Sequence, residues 1–231
     1  MKRILTTVAA ALIAGQAGAA TLTPLSGFGD SDFVALCGEG GNNEACERGV
    51  AEIRGGNGRP NGDLEFTVRE GFDGFRGPSG QLAISAGSAF AFDIAFDGAS
   101  AFSLRIGQTT LTEVVDFSGV DALLLRTSNS DGSFSLTDLV LDGMALGGPI
   151  DANRGYASIT DFDFTRAFSL TGVANFANDI VTARNGRNNG SRLAAQFKFV
   201  DLGPSPVPLP AAGWLMVAGL GGLVAMRRRK G

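Results

Sequence analysis

Not one histidine occurs among the 231 residues. Its absence closes Ser-His-Asp triads, Cys-His dyads and histidine-ligated metal centres to this chain. Tryptophan and tyrosine are nearly missing too, with one of each, Trp214 and Tyr156. Glycan platforms on protein surfaces stack sugars on exposed rings of these two types, so the scarcity counts against a platform-type carbohydrate module. A site built from loop polar groups or calcium escapes that argument.

Cysteine is almost as rare. Cys37 and Cys46 bracket GEGGNNEA and do not form a CxxC redox pair. In an oxidising compartment they would close a short loop as a disulfide, a constraint of about 2–3 kcal/mol by chain-entropy arithmetic. Two sulfurs without histidine would need carboxylate partners to hold a metal, so no metal or other cofactor is expected.

Acidic charge is missing from the two ends of the chain. All 23 acidic residues lie between Asp30 and Asp201, whereas Lys2, Arg3, Arg227, Arg228, Arg229 and Lys230 sit in the terminal segments. The body therefore carries 13 basic against 23 acidic residues, a net of −10. Such a surface repels phosphate backbones, and no nucleic-acid partner is expected.

The opening MKRILTTVAAALIAGQAGAATLTP has the anatomy of a secretory signal: Lys2 and Arg3, an apolar run from Ile4 to Ile13, then small residues. Ala17-Gly18-Ala19 suits a signal-peptidase cut after Ala19, and Gly18-Ala19-Ala20 suits a cut after Ala20. The apolar run is too short to span a bilayer comfortably.

Between Leu22 and Gly203 no helix-period stretch of useful length is found. Period-two alternation dominates instead. In AFAFDIAFD, Phe90, Phe92, Ile94 and Phe96 share one face; ASAFSLRIG groups Phe102, Leu104 and Ile106; RLAAQFKFVD groups Leu193, Ala195, Phe197 and Phe199. Eight Asn-Gly or Asp-Gly pairs, Asp97-Gly98 and Asp142-Gly143 among them, punctuate the runs with residues that tolerate positive φ. The pattern predicts strands over 64–69, 81–86, 89–96, 101–106, 110–117, 121–127, 133–142, 156–164, 166–176 and 192–201. Short strands so spaced argue for an all-β, jelly-roll-like antiparallel β-sandwich. Residues 22–59 are Gly-rich and weakly patterned, and read as loop with one edge strand. The 17 phenylalanines all lie in the body. In strict alternation they fill the space between sheets rather than stack on ligands.

Chemistry-bearing patterns are few. Asp161 and Asp163 in SITDFDFT would project from one strand face, with Phe162 and Phe164 turned inward. As a pair they are the one candidate for glycosidase-type acid and base work, and the solvent face of a strand explains them as well. GGNGRPNGD, residues 55–63, begins like a glycine-rich calcium repeat but has Pro60 at the aspartate position and occurs once. A lone calcium on Asn57, Asn61 and Asp63 is the most it offers.

The chain ends in VPLPAAGWLMVAGLGGLVAMRRRKG. Ala211 to Met226 are 16 residues without a charge, about 24 Å as a helix, and the preceding residues bring this close to a bilayer's thickness. Arg227, Arg228, Arg229 and Lys230 would stop transfer and stay cytoplasmic, leaving the body outside. The small residues Gly213, Gly219, Gly221 and Gly222 would let another helix approach closely.

VPLPA followed by a short apolar helix and a terminal Arg cluster resembles the VPLPA variant of the PEP-CTERM sorting signal of exported proteins in Gram-negative bacteria. The resemblance implies recognition of Val207, Pro208, Leu209, Pro210 and Ala211 by a multi-pass exosortase-like membrane enzyme, and processing near the proline motif. More loosely, SFSLTDLVLDGMAL, RAFSLTGVANF and SRLAAQFKFV are similar to the β-rich "choice-of-anchor" domains that accompany such tails. The expected organisation is a signal peptide over 1–20, an extracellular β-sandwich over 21–203 and a sorting tail with a transmembrane helix over 204–231. The expected function is non-enzymatic: a structural or adhesive role at the cell surface or in the extracellular matrix, in contact with extracellular polysaccharide. An exported carbohydrate-binding module is the alternative, and a polysaccharide-acting enzyme stands behind it.

Overall fold

The computed structural model describes residues 20–37, 46–55, 63–71, 77–83, 87–127, 134–147, 150–151, 155–176 and 192–203. Residues 1–19 of the expected signal peptide, the interior of GGNGRPNGD and everything from 204 onward, including the VPLPA motif and the Arg cluster, lie outside them. Among the described residues no helix is long and apolar enough to cross a membrane.

In chain order the elements are β1 (Thr23–Leu25), α1 (Asp30–Leu36), β2 (Glu47–Gly55), β3 (Asp63–Glu70), β4 (Ser79–Ala83), β5 (Ala89–Phe96), β6 (Ala101–Ile106) and β7 (Thr109–Val114). They continue with β8 (Ala122–Thr127), β9 (Phe134–Leu141), β10 (Met144–Ala145), β11 (Ile150–Asp151), β12 (Gly155–Ile159), β13 (Phe168–Phe176) and β14 (Arg192–Val200). The strands form two seven-stranded antiparallel sheets. The first runs β1-β12-β8-β14-β2-β3-β4; the second runs β10-β9-β13-β5-β6-β7, with β11 also on β9. The protein is thus an all-β sandwich, with one short helix among the described residues.

Alternation decides which side chains meet between the sheets. Ala51, Ile53, Phe66, Leu125, Phe197 and Phe199 from the first sheet share one buried cluster with Phe92, Ile94, Leu104, Leu136, Leu170 and Phe176 from the second. Burying each large apolar side chain stabilises by about 1.5–3 kcal/mol relative to exposure. One end of this core is closed by loop residues: Phe117, Phe162 and Phe164 lie outside any strand yet are 1%, 8% and 0% exposed. They gather with Phe168 and Phe199 at ring separations from 4.9 to 6.2 Å. Gly49 is needed beside them, because a Cβ there would sit 2.4 Å from the Phe117 ring.

Turn chemistry explains the hairpins. Asp142 and Gly143, with φ of 49° and 80°, make a two-residue turn between β9 and β10. That is the positive-φ pair such hairpins demand. At Asp97-Gly98 the loop is longer: the Asp97 carboxylate accepts from the N–H groups of Ala99, Ser100 and Ala101 at 2.8–3.0 Å. Those bonds, Ala99's foremost, hold its carboxyl below the ordinary carboxylate value.

Three expectations are corrected. The segment 22–59 is not mainly loop: β2 lies inside the first sheet, paired with both β14 and β3, although β1 is indeed an edge strand. A helix does occur, α1, started at Gly29, whose N–H donates to the Asp32 side chain at 2.8 Å. The predicted strand over 156–164 ends at Ile159, because Asp161–Phe162 bend and Phe164–Thr165 turn. Elsewhere strand ends shift by a few residues: β4 begins before 81, β7 stops at Val114 and β13 starts at Phe168.

Candidate functional site

The solvent face of the second sheet carries an open groove of about 470 Å³. Its origin is a slip in one strand. Thr171 pairs with Val140 and Val173 with Thr137, so Asp138 and Leu139 together oppose the single residue Gly172. A two-against-one bulge of this kind re-aims a side chain. Leu139 turns into the core at 2% exposure, while Asp138, at φ 53°, lies on the groove. Gly172 is required opposite, since a Cβ there would come within 2.7 Å of both Leu139 and Phe92.

Small side chains, Ala89, Ala91 and Val173, keep the groove open, and Asp93, Arg105 and Asp138 line it with charge. Asp93 and Arg105 face each other across the β5–β6 hairpin. The Arg105 guanidinium donates to Asp93 at 2.9 Å and the Ser169 hydroxyl donates to it at 3.0 Å. Farther along, Asn175 donates to the Thr137 hydroxyl at 3.1 Å, and that hydroxyl in turn donates to Asp138 at 3.1 Å. The groove is therefore lined by a guanidinium, two carboxylates and the Thr171 hydroxyl among small and aromatic residues. Groups of these types can donate to and accept from the hydroxyls of a polar chain.

The outer face of the first sheet is different, because charge is buried there under α1. Lys198 is 5% and Glu47 2% exposed, and the two form an ion pair. The ammonium also lies 4.1 Å from the centre of the Phe33 ring of α1. Burial lowers the Lys198 pKa, only partly offset by Glu47. At the helix start, Asp30 accepts from the Tyr156 hydroxyl at 2.8 Å and pairs with Arg126, which also donates to Gln196 at 3.2 Å. Burial first, then the bond to Asp30, hold the phenol well above its ordinary pKa. Each charge here is matched by an opposite one within the fold, so the cluster fastens α1 to the sheet. Cys37 and Cys46, joined as a disulfide with Cα atoms 5.2 Å apart, tie the helix's other end to β2.

The sequence-predicted carboxylates behave otherwise. Asp161 accepts from the Thr21 N–H at 3.2 Å. Asp163 accepts from the hydroxyl and N–H of Thr165, which hold its carboxyl below the ordinary range. Both are exposed, and each serves a bend rather than a shared strand face. Asn57 and Asn61 lie outside the described residues. Among those described, no group of three or more His, Cys, Asp or Glu is placed to hold a metal ion.

Sequence reasoning missed Asp138, although its signal is present. In FSLTDLVL the apolar phase runs Phe134, Leu136 and then Leu139, Leu141, a one-residue slip that marks the bulge. No protein-family model matches the chain. No curated protein matches it significantly either.

Proposed function

We propose that this chain is an exported, surface-sorted protein whose β-sandwich has a non-enzymatic structural or adhesive role, and whose tail is processed by an exosortase-like enzyme. The observation that carries this reading is where the fold finishes relative to the tail. β14 ends at Val200, and Asp201 is pinned by its N–H to the Cys46 carbonyl at 2.8 Å and by its carboxylate to Arg48 at 2.9 Å. The VPLPA motif begins at Val207, seven residues after Val200, so removal of the motif together with the apolar segment and Arg cluster behind it leaves every described strand in place. The crossing of the chain from β8 to β9, from β12 to β13 and back to β14, sheet to sheet, supports the jelly-roll-like description.

The test is the intact mass of the protein recovered from its native envelope, with and without the exosortase-like enzyme. The expected product lacks both ends. Its N-terminus should be Ala20 or Thr21, and its C-terminal cut should fall near Val207–Ala211 and depend on the enzyme. A mass that retains Arg227 to Gly231 overturns the processing route.

The groove favours a second reading, an exported carbohydrate-binding module. Asp138, turned outward by a bulge into a groove shared with Asp93 and Arg105, is the observation behind it. Binding to neutral polysaccharides is expected to weaken about tenfold or more in Arg105→Ala and Asp138→Ala, a loss of one or more charged hydrogen bonds. Flat curves across a broad glycan panel, with and without calcium, would remove this reading.

A further inference from the structure

Sheets end in strands whose outer N–H and C=O groups seek partners, and proteins blunt such edges with Pro, Lys, Gly, bulges or short length. Among the described residues the two sheets have four edges, and three of them are blunted. β1 has three residues centred on Pro24, β4 follows Pro78 and contains Gly80, and the free side of β9 is covered by the two-residue strands β10 and β11. The fourth is β7, TTLTEV, six residues without Pro, Gly or Lys.

The hairpin fixes which of its backbone groups face outward. Gly107, at φ 61°, and Gln108 form a two-residue turn closed by Ile106 and Thr109. A turn of that length closes on a hydrogen-bonded pair, and such pairs alternate along an antiparallel ladder. Thr109, Leu111 and Glu113 therefore bond to β6, while Thr110, Thr112 and Val114 direct their N–H and C=O groups away from the sheet. One contact agrees directly: the Val114 N–H finds its own neighbour, the Glu113 carboxylate, at 3.1 Å. Val114 is also the most exposed large apolar residue described, at 68%.

We propose that β7 is a self-association edge, which pairs antiparallel with β7 of a second copy about a two-fold axis at Thr112. This register is self-complementary. Thr112 meets Thr112, a favourable cross-strand pair, and Thr110 meets Val114. Glu113 meets Leu111, so the strand's single charge never faces its own copy. The three outward residues of each strand exchange about six hydrogen bonds, and the second sheets of the two molecules become one continuous sheet. The body's net charge opposes approach, so added salt tightens the dimer. Self-association through β7 does not depend on export or tail processing.

Sedimentation velocity of the full chain in mild detergent over a wide concentration range tests it. The expected result is a dimer that dissociates on dilution and strengthens with salt. Thr112→Pro removes only an outward N–H, so it should leave the unfolding midpoint intact and weaken dimerisation roughly tenfold to a hundredfold. Thr112→Lys, which sets two ammonium groups opposite each other, should do the same if the proline variant folds poorly. Paired Thr112 Cα atoms about 5.5 Å apart suit a disulfide. Thr112→Cys should therefore give a covalent dimer on mild oxidation, and Gln81→Cys on β4 should not. A chain that stays monomeric at every concentration and salt, or one whose Thr112→Pro and Thr112→Lys variants dimerise like the parent, overturns the proposal.

Discussion

Lys198→Met is expected to lower stability by about 3–5 kcal/mol, the usual cost of leaving one member of a buried ion pair alone. The arithmetic turns on Glu47. Its side chain is fully buried, and its second carboxylate oxygen already has no hydrogen-bond partner, so without the ammonium an uncompensated charge stays under α1. Lys198→Met combined with Glu47→Leu should recover most of the loss, because two apolar side chains need no desolvation to sit beside Phe33 and Leu124. Urea midpoints at neutral pH for the two single variants and the double one decide the matter. An unchanged midpoint in Lys198→Met would mean that water reaches the pair.

The same pair leaves a mark on the pH dependence. Burial lowers the Lys198 pKa in the fold, so between that value and the ordinary lysine value of about 10.4 the unfolded chain binds more protons. Stability from this group therefore rises with pH through that window, and the rise disappears in Lys198→Met. Tyr156 acts in the opposite sense. Its proton is held more tightly in the fold, so its contribution is complete below about pH 10 and is lost above that.

Phe199→Ala is expected to cost about 3–5 kcal/mol as a large-to-small change in a rigid core. The ring is 0% exposed and lies 5.2–5.5 Å from four others, those of Phe102, Phe117, Phe164 and Phe168. Two of these come from loops, so the cavity would loosen the closure of the sandwich end as well as the sheets. Phe90→Ala, at a partly buried position with Phe176 as its ring neighbour 6.2 Å away, should cost far less. Equal costs at the two positions would show that the aromatic end is not the centre of the core's stability.

Most strands were legible because one face of each meets the core and the other meets water. Period two survives in β5, β6 and β13, where buried and less buried residues alternate without a break. β2 was not legible for the opposite reason. Its inward face is weak, Gly49, Ala51 and Ile53, because Phe117 occupies the space a larger residue would need. Its other face bears Glu47, Glu52 and Arg54, which look like solvent residues but include two fully buried carboxylates. α1 has a single buried residue, Phe33, too few for a helical period to register. The groove was half legible: Asp93 and Arg105 fall opposite each other once the hairpin is drawn, while Asp138 needed the phase slip. Asp161 and Asp163 misled because Phe162 and Phe164 are buried in alternation, as in a strand, by a loop that merely dips two rings into the core.

β14 is the last strand described and yet the fourth of seven in its sheet, bonded to β8 on one side and β2 on the other. A chain that emerges N-terminus first thus presents two incomplete half-sheets, β1-β12-β8 and β2-β3-β4, each with an open edge on the side β14 will fill. Only when Arg192–Val200 arrives do they become one sheet, with long sequence separations closed at that moment. Completion of the first sheet thus waits on residues 192–200, and a chain that lacks them keeps its two halves apart.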